Sequence, residues 1–390
     1  MNHRSRLVTG STALLAVAAL SLPAAALCLP AAAAAVSAPA AVATAPARSA
    51  VPPGFVPAST AWTSTDDGWV LGFTPCSRGH RQRCGTLVHT TDGGATWTKA
   101  TVPGGLHVSP RFRQVRIAFA SGAGGPGVGL ASDGTRLYMT TDSAETWQAA
   151  SLPSSPSIGD IGLTDTAAYA IVGTGSTDAG TTALYSTPRG RSDWAPVPRV
   201  RTVGNGVNID GGYDFDLRGH RGAVALGRIF VNTGYWHTDD GTHWTKQPAP
   251  CTTEQYPSVN WVGPHRTVVT CSYDPGMSKE FKDVRVSVDG GAFSTTSSAP
   301  IDLFTTGVGA QAARRPLIGA TGAGVAWLYE TFDGSTWQRV LQVDDELPFH
   351  DIQFTDAQHG FLVLGGSAFD RGAAYSTSDG GHTWKVLSLG

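Results

Sequence analysis

The feature that most constrains this chain is that it says the same thing twice, far apart. STSDGGHTWKVL at 376–387 nearly restates HTTDGGATWTKA at 89–100. Trp97, Trp147, Trp194, Trp244, Trp337 and Trp384 all stand in related strings, with Phe293 in the same place within VSVDGGAFSTT. The steps between them are 50, 47, 50, 49, 44 and 47 residues. A seven-fold repeat of about 48 residues lies in the range of propeller blades.

A second landmark precedes the tryptophan strings. AWTSTDDGWVLGF (61–73), IGLTDTAAYAIVG (161–173) and IQFTDAQHGFLVLG (352–365) each read as a short alternating strand, a polar turn and an apolar strand ending at glycine. The repeat is therefore strand A, turn, strand B, loop, strand C, glycine turn, strand D, which fits a propeller blade. A sandwich or barrel needs no such constant period. Composition agrees: 48 Gly and 11 Trp beside 3 Met suit short strands and glycine turns better than helices. The expected fold is all-β, a single seven-bladed β-propeller of four-stranded antiparallel blades. Blades fall near 59–108, 109–157, 158–208, 209–255, 256–300, 301–347 and 348–390. The first blade opens with its own strand A and the last ends on its own strand D. Ring closure then rests on sheet-to-sheet packing, unless a strand within 51–58 completes the ring.

The N-terminal segment is of another kind. Arg4 and Arg6 precede an apolar run (7–29) and then small residues with A-x-A sites, the layout of a secretory signal. The expected division is 1–35 signal peptide, 36–58 Ala/Pro-rich linker and 59–390 propeller. That makes the protein secreted and extracellular, with no membrane span after cleavage. Removing the signal removes Cys28 and leaves Cys76, Cys84, Cys251 and Cys271, an even number suited to an oxidising compartment. Three pairings are possible; local pairing, Cys76–Cys84 and Cys251–Cys271, is the simplest. The spacings match no zinc ribbon or finger. With 28 basic and 30 acidic residues, nothing points to nucleic acid as a partner.

Aligned on the tryptophan, the repeated string is Ser/Thr-x-Asp-x-Gly-x-Thr-Trp. Box one has Asp92, Gly94 and Trp97; box two has Asp142 and Trp147, with Ala144 for glycine. Box four has Asp239, Gly241 and Trp244, and box seven Asp379, Gly381 and Trp384. An aspartate in such a turn accepts bonds from the turn's own backbone N–H groups, glycine supplies positive φ, and tryptophan offers an apolar face to a neighbouring blade. A turn that tolerates Ala, Pro and shortening is not holding a reaction geometry, so the boxes read as structural. The string resembles the Asp-box, or BNR repeat, of the sialidase-like superfamily. Combined with Asp356, Gly360 and Phe361 in an A–B turn, it looks like the photosystem II assembly-factor type of propeller found in secreted bacterial proteins. That resemblance spans the mature chain and implies a non-catalytic propeller, although one architecture hosts many activities.

Function is then expected on the face of the D–A and B–C connections, around the central channel. CSRGHRQRC (76–84) places Arg78, Arg81 and Arg83 in a B–C loop that a disulfide would close. Arg111 and Arg113 precede strand A of blade 2, and Arg136 lies in the next B–C loop. These arginines are candidates for an anionic ligand. Asn208, Asp210, Asp214 and Asp216 stand at even spacing in blade 4. They lack the EF-hand order and its closing glutamate, so Asp214 and Asp216 read as acids lining the channel, and no metal or cofactor is expected.

Two functions remain. One is a monomeric binding or scaffolding module for a protein or carbohydrate ligand. The other is a sialidase-like glycoside hydrolase at the top of the channel. The family resemblance would then require three arginines, a Tyr/Glu nucleophile pair and an acid Asp, but its Arg-Ile-Pro string is missing. Glu254 with Tyr256 and Glu330 with Tyr329 are the local Glu–Tyr neighbours. VDDELPFHD (343–351) adds acidic candidates. The catalytic candidates are therefore Glu254, Tyr256, Glu330 and Asp345.

Overall fold

The computed structural model describes residues 51–389 except 77–78, 107–114, 121–126, 176–179, 204–212, 229–230, 264, 277–278, 300–302, 313–314, 332–334 and 366–370. The expected signal and most of the expected linker, with Arg78, Arg111, Arg113, Asn208 and Asp210, lie outside the described residues. The described chain forms seven four-stranded antiparallel sheets, each built from four consecutive strands in sequence order. They make a seven-bladed β-propeller. No described helix is long and apolar enough to cross a membrane.

The innermost strand of each blade, strand A, is Val56–Trp62, Arg116–Phe119, Ser157–Leu163, Tyr213–Arg218, Tyr256–Val262, Phe304–Ala312 or Phe349–Phe354. The first begins at Val56, inside the segment expected to be linker, and pairs within its own blade. Residues 51–55 form no strand, and among the described residues no terminal strand is added to a blade to complete the ring. Packing closes it. Trp62 of blade 1 stacks on Phe361 of blade 7 with ring centroids 3.5 Å apart, and the Trp97 indole N–H donates to the Ser388 carbonyl at 3.0 Å.

That closure reuses a contact found elsewhere in the ring. Trp69 of blade 1 stacks on Phe119 of blade 2 at 3.9 Å, just as Phe361 stacks on Trp62. In both pairs a strand B aromatic meets the strand A aromatic of the next blade. Glycine before that strand B aromatic has a steric cause: a Cβ on Gly68 would lie 2.3 Å from the Trp62 ring, and one on Gly360 2.7 Å from the Phe354 ring. The box tryptophans join the same joints. The Trp147 N–H donates to Thr101 O of blade 1 at 2.8 Å, the same offset as Trp97 to Ser388.

The core is accordingly divided into seven apolar clusters, one at each junction between blades. The junction of blades 4 and 5 is built mainly from small residues such as Ala223, Ala225, Val259 and Val269. The disulfide Cys251–Cys271 lies in it, linking the exit of blade 4 to strand B of blade 5, where little apolar area is available to bury. The second disulfide, Cys76–Cys84, spans a hairpin expected to be a loop. There the ladder continues beyond the blade, with Thr74 opposite Cys84 and Pro75 opposite Arg83.

Candidate functional site: the central channel

The seven A strands enclose a channel of about 1180 Å³. Their pairing with strand B is interrupted by register shifts in blades 1, 3, 5, 6 and 7. A bulge turns backbone N–H groups out of the ladder, and each needs another acceptor. Side chains of the preceding blade supply several. Asp351 Oδ2 accepts from Thr60 N at 2.9 Å, Asp214 Oδ2 from Val259 N at 2.8 Å and Thr306 Oγ1 from Phe349 N at 3.0 Å; Ser59 Oγ likewise accepts from Ile117 N at 3.0 Å in blade 2, where the register is unshifted. A polar belt thus fastens one blade to the next around the lumen.

Two arginines complete the belt. Arg116 lies 3.5 Å from Asp351 Oδ1 and 3.9 Å from Asp160 Oδ1. Arg218 pairs with Asp216 at 3.2 Å and reaches the Phe354 carbonyl of blade 7 at 3.5 Å. The Arg116 and Asp160 side chains keep 26% and 25% of their surface open to the channel, so the pairs are lined up along water rather than sealed from it. Burial nevertheless pushes the Asp160 carboxyl up to about 6 against the pull of Arg116. Burial, with the Asp160 charge beside it, raises Asp214 well above the usual carboxylate range, and burial also raises Asp216 against the pull of Arg218. His350 is lowered to about 4 by burial and by Arg116. The lining contains more negative charge than its two arginines balance.

The expected site residues are scattered. Asp214 and Asp216 do line the channel, as does Tyr256. Glu254 is exposed on the connection from blade 4 to blade 5, and the acids that raise the Tyr256 phenol, after burial itself, are Glu280 and Asp274. Glu330 is fully buried on strand C of blade 6, bonded to His382 Nδ1 of blade 7 at 3.1 Å. Asp345 pairs with Arg371 at 2.7 Å outside the lumen. The four catalytic candidates are therefore not brought together. Arg83 lies over the Phe73 ring at 4.3 Å, Arg81 belongs to strand C of blade 1, and Arg136 donates to the Gly105 carbonyl. Among the described residues, the arginines lining the channel are Arg116 and Arg218.

Box four requires a correction. Boxes one, two and seven share one bonding set, in which Asp92, Asp142 or Asp379 accepts from the N–H and hydroxyl of Thr96, Thr146 or Thr383. In box four the equivalent acceptor is Asp240, bonded to Thr242 N at 2.8 Å and His243 N at 2.7 Å. Asp239 is 67% exposed and faces Arg221 at 2.8 Å. This turn is one residue shorter between aspartate and tryptophan, so alignment from the tryptophan lands one position early.

Arg116, Asp160, Arg218 and Asp351 were not singled out from sequence, yet for Arg116, Asp160 and Asp351 a signal exists. Alignment on strand A sets Ser59-Thr60-Ala61-Trp62 beside Arg116-Ile117-Ala118-Phe119, Asp160-Ile161-Gly162-Leu163, Asp214-Phe215-Asp216-Leu217, Ser258-Val259-Asn260-Trp261 and Asp351-Ile352-Gln353-Phe354. The first member of each quartet is the belt position.

No protein-family model matches the chain, and no curated protein matches it. Among solved structures, YCF48 from Cyanidioschyzon merolae is similar, at 15% identity over 84% of this chain and 97% of that one, with a TM-score of 0.50. The β-propeller domain of the Trilobed protease from Pyrococcus furiosus, described as having an open velcro topology, is 9% identical over 86% of this chain and 98% of that one, with a TM-score of 0.52. A Pyrococcus horikoshii acylaminoacyl peptidase is 12% identical over 86% of this chain and 52% of that one, with a TM-score of 0.50. At such identities the likeness is one of fold, a propeller shared by proteins of different activity.

Proposed function

We propose that the chain is a secreted, non-catalytic Asp-box propeller that binds a protein or glycan on the face of its D–A and B–C connections. The observation that carries this reading is the commitment of the channel's charges to its own wall. Asp214 and Asp351 hold amides of the next blade, Arg116 stands between Asp160 and Asp351, and Arg218 bridges toward blade 7. Groups that fasten the ring are poorly placed to exchange protons or attack substrate. A sialoside's carboxylate would also meet an acidic lining whose two arginines already face carboxylates.

A glycosidase is the second reading, favoured by one observation: burial, then the Asp160 charge beside it, holds the Asp214 carboxyl well above the usual carboxylate range, as the general acid of such an enzyme requires. Assay of aryl glycosides and a fluorogenic sialoside, with Asp160→Asn as control, separates the two. The binding reading expects no turnover above buffer, together with saturable binding to an immobilised glycan or protein. Turnover that disappears in Asp160→Asn would overturn it.

A further inference from the structure

Strands B and C of blade 5 run for 11 and 10 residues, Arg266–Gly276 and Lys279–Val288, against 4 each in blade 2. Their neighbours stop short. Strand A reaches Tyr256 opposite Ser272, strand D reaches Ala299 opposite Lys282, and Ser272 pairs with Lys282. Beyond that rung Tyr273 pairs with Phe281, so a two-stranded ribbon rises from the blade on the face of the B–C connections. Such a ribbon is marginal alone, and one of its sides is fastened. Side chains alternate across a strand, which puts Glu280 and Lys282 together on the side toward blade 6. The Lys282 side chain has no exposed surface; its ammonium lies 3.4 Å from Glu280 Oε1 and donates to the Leu303 carbonyl. Glu280 accepts from Thr305 N at 3.1 Å and from the Thr305 hydroxyl. Burying a charged pair is costly, and here the pair sets the ribbon's orientation.

The other side of the ribbon carries Tyr273 and Phe281, with ring centroids 5.7 Å apart and planes inclined by 31°. Phe281 keeps 48% of its surface open, and the Tyr273 hydroxyl bonds no described residue. Aromatic rings held out to solvent on a fixed mount are the makings of a binding site. The size of its ligand follows from what else is exposed. Among the described residues the other large apolar side chains open to solvent are Val288, Phe304 and Val386. Val288 is at the far end of strand C, Phe304 lines the channel and Val386 belongs to blade 7. A protein interface buries about 1,600 Å² around an apolar core, and two rings do not supply one. They suit one or two sugar rings. A pyranose with equatorial hydroxyls has C–H groups on both faces, which the negative face of an aromatic ring attracts. The hydroxyls on its rim can bond a phenol. Asp274 and Lys279, exposed near the ribbon's tip, are of opposite sign and favour neither an acidic nor a basic chain.

We infer that the blade 5 ribbon is a stacking platform, Phe281 backed by Tyr273, for an uncharged glycan of equatorially substituted pyranoses. The inference rests on the binding reading above; it chooses glycan over protein as the ligand and gives the ligand a place.

Calorimetric titration of the full chain with cellohexaose and chitohexaose, at low and at high salt, tests it. Saturable binding of at least one is expected, unchanged by salt because no charge is paired. Phe281→Ala should weaken it about ten-fold or more, as truncation of a central anchor does, and Tyr273→Ala should weaken it too. Phe281→Trp, which keeps a stacking face, should retain it. Val386→Ala, at another exposed apolar side chain, should leave it unchanged. Thermal melts of each variant report folding, and the two Phe281 variants carry the test alone if Tyr273→Ala does not fold. Binding of neither saccharide at millimolar concentration, or binding indifferent to the Phe281 and Tyr273 variants, overturns the inference. A protein partner lost in Phe281→Ala while both saccharides fail also overturns it, and leaves the binding reading standing. Saccharide bound at Phe281 and also hydrolysed keeps the inference and overturns that reading instead.

Discussion

The aspartates of the box turns and those of the channel are the same residue in opposite circumstances. Asp142 faces solvent and is held down to about 2, first by the Thr146 hydroxyl and then by the Thr146 amide. Asp160 faces the lumen and is pushed up to about 6 by burial that Arg116 only partly offsets. The box satisfies its carboxylate within a few residues, so the turn closes on itself wherever the chain places it. Asp214 and Asp351 in the channel reach their backbone donors in the next blade only when one blade packs on another, and burial there raises Asp214 against ionisation. The lesson is that this ring is shaped by turns closed within one repeat and fastened by contacts between blades.

The comparison breaks most severely if the ring opens. Trp62 is 5% exposed, stacked on Phe361 and edge-on to Trp97 at 6.1 Å. Trp62→Ala should cost about 3–5 kcal/mol, the usual loss for a buried tryptophan, read as a lowered denaturant midpoint. An equal truncation at Trp147, which lies at a joint between consecutive blades, should cost less, because there the chain itself still connects the blades. Equal losses would mean that closure is no weaker than any other joint.

Removing the belt's cation comes next. Arg116→Met leaves Asp160 and Asp351 facing each other without their shared partner. The expected loss is about 3 kcal/mol, the low end for breaking a buried pair, since the guanidinium is partly open to channel water. Urea unfolding measures it. A loss below about 1 kcal/mol would reduce the belt to an ordinary surface ion pair.

These two expectations also mark what could be read in the sequence. The blades, their order and the box turns were legible because each is closed within one repeat: an aspartate, a threonine and a tryptophan at fixed offsets. The belt was not. Arg116 stands in the same basic segment as Arg111 and Arg113, and nothing local says which of the three meets Asp351. Asp214 and Asp216 were visible as alternating acids on a strand, and Arg218, the partner of Asp216, stands two residues along it; the partner of Asp214, Val259 N, is supplied only by the packing of the next blade. Glu254 was selected for its sequence neighbour Tyr256, whereas Glu280 is brought to that tyrosine by a hairpin.

The pH response should separate the two classes of acid with opposite signs. Asp160 is raised in the fold, so the native state holds an extra proton between about 4 and 6. Its contribution to stability is therefore lost as pH rises through that window. Asp142 is lowered, so its contribution is present above about 4 and lost as pH falls toward 2. Asp160→Asn should gain on the native chain in melting temperature between pH 4 and 6.5, and Asp142→Asn should lose its deficit below pH 4. His350, lowered to about 4, opposes Asp160 by losing stability as pH falls from about 6.5. The slope attributable to Asp160 is thus best taken as a difference between variant and native chain. Parallel pH profiles for Asp160→Asn and the native chain would show that the channel carboxylate titrates like an exposed one.

The smallest effect concerns one residue of register. If the box is defined by its hydrogen bonds, Asp240 is the aspartate of the fourth turn, lowered first by the His243 amide, then by the His243 ring and the Thr242 amide. If it is defined by distance from the tryptophan, the aspartate is Asp239, which is exposed and salt-bridged to Arg221. Exposed pairs of that kind contribute about 0–1 kcal/mol, so Asp239→Ala should leave the melting temperature nearly where it was. Asp240→Ala removes the acceptor of two backbone amides and the bond from the Thr238 hydroxyl, and should lower the melting temperature measurably. It should also speed amide exchange at Thr242 and His243 alone. The reverse order would mean that the turn is held by its tryptophan spacing, and that the carboxylate bonding shared by the other boxes is incidental in this one.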